Sequence, residues 1–311
     1  MNRSISDFLV NASIFAVLAA HFLTGWLAVP DAGPLLTGGL PAMLAILLCC
    51  VPLLDIHQQM LPGSSMVTVL FYAFLAAASP AAFRLSPFHG VALLMAGCLY
   101  CYLLFCAKRP SLNLAVGLWL AFGIAVLLLP SLLWLAPVLL LSSVGKAEEK
   151  GKFVFLLLLG LVLPAGVWLA IRYLQGNPLP LSDFLSGAWV GMSTLHLPRT
   201  NLPTATLVRI AFTVVMTLTA FVRILPRLSR YKTAQFRTVL RLMLLTVCFT
   251  AYAMLFLDYP AVPAGMLVML PTAPLLSVFL LDTLSRRGTT PWFVTLLLLL
   301  AAERVAYFVN L

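Results

Sequence analysis

What most constrains this chain is a near-unbroken succession of apolar stretches, each close to bilayer-crossing length, joined by connectors too short to build anything else. A hydrocarbon core about 30 Å thick takes roughly 20 apolar residues as a helix. Runs of that order open near residues 8, 40, 66, 88, 112, 131, 153, 206, 239, 262 and 292. In lipid, backbone polar groups must be bonded within their own segment, so continuous runs of this kind are helices. The alternating pattern of barrel strands is absent. Charged residues are only 9% of the chain, against roughly 25% in a soluble domain, which leaves no material for a separate soluble domain. The expected fold class is therefore all-α: one polytopic transmembrane helical bundle over residues 1–311, with about eleven spans.

The connectors carry the orientation. The first run, about 8–29, contains His21 and is followed by further spans, so it reads as a span and not as a cleaved leader. A Gly/Pro turn with Asp31 follows. The polar link Asp55–Gln59, with His57 inside it, closes the second run. Pro130 parts the fifth run from the sixth, Pro164 predicts a kink in the seventh, and Pro271 and Pro274 interrupt the tenth. The net charge of +10 follows from this organisation, because cytoplasmic loops of membrane proteins collect Lys and Arg, and it gives no reason to expect a nucleic-acid partner. With the N-terminus in the cytoplasm and the spans alternating, the inside receives Arg3, Lys108, Arg109, Lys146, Lys150, Lys152, Arg223, Arg227, Arg230, Lys232, Arg237, Arg241, Arg286 and Arg287. Of the 19 basic residues, only Arg84, Arg172, Arg199, Arg209 and Arg304 remain for the outer side or its boundary. Merging the fifth and sixth runs would put Lys146–Lys152 outside, against the rule. The expectation is N-terminus in, C-terminus out.

Several chemistries are not called for. All six cysteines lie inside apolar runs, where a thiol packs as a small hydrophobe. Cys98-x-x-Cys101 has redox spacing but sits within a run. There is no Walker A motif, dinucleotide fingerprint, HExxH or Gly-x-Ser-x-Gly, and neither a cofactor nor a metal is expected.

One stretch is too polar for lipid: Arg172 to Arg209, RYLQGNPLPLSDFLSGAWVGMSTLHLPRTNLPTATLVR. Within it Leu181, Phe184, Leu185, Ala188, Trp189 and Met192 fall on one helical face. The spacing predicts an interfacial helix over 181–194, anchored by Trp189 and set between Pro178, Pro180 and Pro198. It is a lid or platform over an outward cavity, or a connector packed on the bundle. Arg84, Arg172, Arg199, Arg209 and Arg304 approach this side, with His89 and His196. Ionisable groups inside a membrane are costly and raise a functional hypothesis by default. Guanidinium groups match phosphate oxygens with two parallel hydrogen bonds, so these arginines are candidate binders of a phosphate-bearing lipid headgroup. His196 and Glu303 are the candidate acid–base groups. Glu303 and Arg304 are neighbours on a helix and cannot face each other, so each needs another partner. The alternative for every arginine is snorkelling to lipid headgroups or pairing with Asp31, Asp183, Asp258 or Glu303.

The segments LPGSSMVTVLFYAFLAA from Leu61, FRLSPFHGVALLMAG from Phe83, LNLAVGLWLAFGIAVLLLPSLLWL from Leu112 and LLLLGLVLPAGVWL from Leu156 together resemble an uncharacterised family of bacterial polytopic inner-membrane proteins. That likeness covers about residues 60–175 and implies the location, a bacterial inner membrane, but no activity. A looser, architectural likeness is to O-antigen polymerases and ligases, in which outward arginines handle lipid-linked pyrophosphate sugars. It implies a polyprenyl-phosphate-linked substrate among the membrane lipids. Polyprenyl-phosphate glycosyltransferases, by contrast, place acidic residues in a long first outward loop, where this chain has only Asp31. Three functions follow as expectations: an envelope protein binding or processing such a lipid at its outer face, a transporter or flippase, and a non-enzymatic assembly partner in an envelope complex.

Overall fold

The computed structural model describes residues 18–27, 39–62, 65–107, 110–147, 149–176, 181–194, 204–257, 263–283 and 286–309. Among them the chain forms α-helices and no strand: α1 Leu18–Leu27, α2 Leu40–Met60, α3 Ser65–Ala76, α4 Pro87–Ala107, α5 Leu112–Leu128, α6 Ala136–Val144, α7 Lys150–Leu174, α8 Leu181–Ser193, α9 Thr204–Ile224, α10 Thr233–Phe256, α11 Gly265–Val278 and α12 Arg286–Val309. Short 3-10 turns cover Pro80–Phe83, Pro130–Leu135 and Leu225–Arg230.

Five segments are long and apolar enough to cross a membrane: α2, α4, α7, α10 and Thr206–Arg230, which joins α9 to the turn after it. Leu18–Leu27, Met66–Ala76, Leu112–Leu128, Pro130–Val144 and Gly265–Leu281 are apolar but shorter. The fifth and sixth runs, expected as two short spans or one broken pair, are a 17-residue helix and a 3-10 turn leading into nine α-helical residues. The outer surface is apolar where lipid would stand. Phe155, Val162 and Leu141 are 63%, 67% and 75% exposed, the reverse of a water-soluble surface.

At the centre lies α11, buried from Met266 to Val278 except at the half-buried Val268. Around it pack α3, α10, α4, α9 and α2. On one flank α5 lies between α4 and α7. On the other α12 lies against α9. The α5–α7 crossing is set by two glycines. A Cβ on Gly123 would overlap the Gly160 carbonyl, and one on Gly160 would stand 2.7 Å from the Trp119 carbonyl carbon. Only bare backbones fit at that separation.

Two connectors and the proline pair of the tenth run differ from expectation. Asp55–Gln59 is the last turn of α2, closed by a Gln59-to-Asp55 side-chain hydrogen bond one turn apart. His57 points inward, fully buried, with Nδ1 2.8 Å from Thr68 Oγ1 of α3. Arg237 and Arg241 lie inside α10, not in the link before it. Pro271 and Pro274 sit within an uninterrupted α11, and Pro164 within α7. Proline costs a membrane helix less because neighbouring helices shield the carbonyl it frees. In α7 that carbonyl is Gly160, the group against which Gly123 packs. The glycine crossing and the proline are therefore one feature.

Candidate functional site

Helix α9 opens at Thr204, which places Thr206 and Arg209 three residues apart on one face. That face meets α12 where Glu303 projects. Arg209 Nε donates to Glu303 Oε2, and Thr206 Oγ1 donates to Glu303 Oε1 at 2.8 Å. Both carboxylate oxygens therefore accept from α9. Glu303 is 1% exposed and Arg209 6%, so water screens this pair very little. Thr213, one turn further on, donates to the Arg209 backbone carbonyl at 2.9 Å.

Arg304 turns the other way, as its adjacency to Glu303 requires. Its Nη2 donates to the carbonyl of Ala77, just beyond the C-terminal end of α3. Helix C-terminal carbonyls lack intrahelical donors and carry partial negative charge, which suits a cation. The guanidinium also lies 5.1 Å over the ring of Phe83, a cation–π contact. Room for it is left by Gly25 of α1, where a Cβ would stand 2.7 Å from Arg304 Nη2. His21, one α1 turn earlier, is buried within electrostatic reach of both arginines. Its ring makes an edge contact with Phe74 at 5.1 Å, and its Nε2 has no hydrogen-bond partner among the described residues. Helices α1, α3, α9 and α12 therefore converge on one buried polar cluster. Beside it, His89 folds the 80–86 turn by bonding the Ala82 carbonyl at 2.9 Å and Ser86 at 3.3 Å. This seats Phe83 under Arg304 and leaves the next residue, Arg84, exposed.

The remaining candidates are not in this cluster. Arg172 lies 5.0 Å over Trp168 in its own helix, and Trp168 packs on Phe184 of α8 at 5.6 Å. His196, Arg199, Asp31 and Asp258 lie outside the described residues. The amphipathic stretch does form a helix, but its packed stripe is narrower than expected. Phe184, Ala188 and Met192 are half-buried, while Leu185 and Trp189 are 56% and 66% exposed. It rests on the Pro130–Leu135 turn, where Trp134 Nε1 donates to the Met192 carbonyl at 3.0 Å and Gly191 backs onto Pro130.

Two further groups matter that the sequence reading passed over. Thr206 completes the Glu303 carboxylate, and its spacing of three residues from Arg209 was a readable signal. Phe83 carries Arg304, and nothing in the sequence marks it. The opposite end of the bundle is basic. There the Tyr102 hydroxyl of α4 donates to Ser142 of α6 at 2.8 Å within electrostatic reach of Arg241 of α10, while Phe105 stacks on Phe153 of α7. No protein-family model, curated protein or solved structure matches the chain.

Proposed function

We propose that this is a multi-pass protein of the bacterial inner membrane that binds the phosphate of an anionic, polyprenyl-linked lipid at the end of the bundle where Arg209, Glu303 and Arg304 meet. The observation that carries it is two buried guanidinium groups brought to one end of the bundle by α9 and α12, Arg209 on the Glu303 carboxylate and Arg304 on the Ala77 carbonyl, beside the exposed Arg84. Glu303 occupies Arg209 as a phosphate oxygen would. Exchange of carboxylate for phosphate keeps the guanidinium paired throughout, and the displaced carboxylate keeps its hydrogen bond from Thr206. In this reading His196, or Glu303 once displaced, is the acid–base group of any glycan transfer. The proposed orientation, N-terminus in and about eleven crossings, puts this end outside and the Lys146–Lys152 and Arg241 end inside.

The test is native mass spectrometry of the purified protein with a polyprenyl phosphate and with a glycerophospholipid. The unaltered protein should retain the polyprenyl phosphate. Arg304→Ala should lose it and Arg304→Lys should recover part. An unchanged lipid profile in Arg304→Ala would sink the proposal, and equal retention of the two lipids would restrict it to phosphate in general.

Transport is a second reading with its own support. Tyr72 Oη, Ser79 Oγ, Thr246 Oγ1 and Ser277 Oγ are buried in the bundle without hydrogen-bond partners among the described residues. Such groups are ordinarily satisfied by internal water, and a wet core suits a permeation path. Loss of a pH gradient from proteoliposomes, absent in protein-free vesicles, is what that reading requires.

A further inference from the structure

At the basic end of the bundle, away from the arginine–carboxylate cluster, a cavity of about 190 Å³ opens between the C-terminal end of α4 and the N-terminal ends of α5 and α7. Its floor is apolar: Phe105, Ala115, Phe153 and Leu156, with the two phenylalanine rings stacked at 5.0 Å. Its mouth is polar: Ser111, Glu149 and Lys152. An apolar floor under a charged rim, at the level where a span leaves the membrane, is the profile of a site for a lipid headgroup and the first carbons of its chains.

The rim narrows the choice. Lys152 Nζ is paired with both oxygens of Glu149, at 2.8 and 2.7 Å, and the two side chains are 68% and 62% exposed. An exposed pair of this kind contributes almost nothing to stability, so separating it costs little. Ser111 caps α5 by accepting from the Leu114 amide at 3.3 Å. The first amides of that helix have no intrahelical acceptor, and Ser111 and Leu112 at its opening line the cavity.

We infer that this cavity binds a zwitterionic phospholipid bearing a primary ammonium, of the phosphatidylethanolamine type. Its phosphate takes Lys152 and the opening amides of α5, and its ammonium takes Glu149. A headgroup with phosphate alone would set its charge against Glu149. A quaternary choline has no N–H to donate to the carboxylate. Only a phosphate joined to a donating ammonium gives both members of the pair a new partner.

The test is native mass spectrometry of the full chain in detergent, with equimolar phosphatidylethanolamine, phosphatidylglycerol and phosphatidylcholine competing for it. Phosphatidylethanolamine should be retained about fivefold over each of the others, the upper end of what a solvent-exposed charge pair gives. Glu149→Gln should bring the ethanolamine-to-glycerol ratio to about one, because the carboxylate both attracts the ammonium and repels the anion. Lys152→Gln should lower retention of both lipids. Both positions are exposed, so the variants fold, and neither touches Arg304. Equal retention of ethanolamine and glycerol lipids by the unaltered protein, no retention at all, or an unchanged ratio in Glu149→Gln would each overturn the inference.

Discussion

Two helix pairs flank the central α11, and they are held by opposite means. The α5–α7 pair meets through absence: Gly123 and Gly160 bring bare backbone against bare backbone, and the Gly123 Cα–H faces a carbonyl that Pro164 has freed. The α9–α12 pair meets through charge, with Arg209 and Thr206 both on Glu303. In lipid neither pair gains from exclusion of water, since the surroundings are as apolar as the side chains. The glycine pair relies on dispersion and weak Cα–H···O contacts spread over a long crossing. The ionic pair relies on one point. A point contact is costly to break and selective, which suits a site. A distributed contact is tolerant of small changes in chemistry and intolerant of volume, which suits scaffolding.

The largest effect should therefore come from Glu303→Ala. It leaves Arg209 as a buried cation without its carboxylate, and removing one partner of such a pair costs about 3–5 kcal/mol. Thermal unfolding in detergent should show a marked fall in midpoint. A midpoint unchanged from that of the unaltered protein would mean that Arg209 has another anionic partner and that Glu303 does not hold the pair.

Gly123→Val comes next. The new side chain would overlap the Gly160 carbonyl, a backbone atom that cannot rotate away. Overpacking of this sort costs about 1–3 kcal/mol. Its signature differs from that of Glu303→Ala: protease access or hydrogen exchange should rise along α5 and α7 while α9 and α12 keep their protection. Uniform loss of protection would show that the flanks are not separate units.

The contrast explains what the sequence made legible. Apolar run length predicted the helices closely, α4 over Pro87–Ala107 and α7 over Lys150–Leu174 among them. Helicity in lipid is dictated by each segment's own backbone and does not wait on tertiary context. Glu303 and Arg304 stood out because charge inside an apolar run is conspicuous. The rule that helix neighbours diverge foretold that they would part, and they do. What could not be read was who meets whom. Arg304 finds a backbone carbonyl just past the end of α3, more than two hundred residues away, and a carbonyl has no sequence signature. His57 looked like part of a solvated link, yet lies fully buried against Thr68. A polar residue at a run's end reads the same whether its helix continues or stops. The α5–α7 crossing was invisible for the converse reason, since a glycine that permits contact looks like a glycine that does nothing.

Between the two modes lies the neutral hydrogen bond joining α2 to α3, His57 Nδ1 to Thr68 Oγ1 at 2.8 Å. Thr68→Val keeps the shape and removes the hydroxyl. Interhelical hydrogen bonds of this type in membrane proteins average about 0.6 kcal/mol, so the midpoint should fall only slightly. A fall as large as that for Glu303→Ala would place the main polar anchor at the basic end of the bundle and not at the arginine cluster.

The smallest change in stability should come from the most drastic edit, Arg209→Met with Glu303→Leu. Replacing a whole buried ion pair by apolar groups of similar volume is often neutral or stabilising, because the desolvation cost of both charges disappears together. Thr206 then loses this acceptor, at a cost of one hydroxyl hydrogen bond, roughly 1 kcal/mol, set against the desolvation saved. The midpoint should thus recover to near that of the unaltered protein. Stability and binding separate in this variant, as they cannot in Glu303→Ala. A stable double variant that no longer retains a polyprenyl phosphate would assign the pair to binding. A stable double variant that retains the lipid as before would leave α9 and α12 merely another way of packing two helices, and the lipid would have to be sought elsewhere.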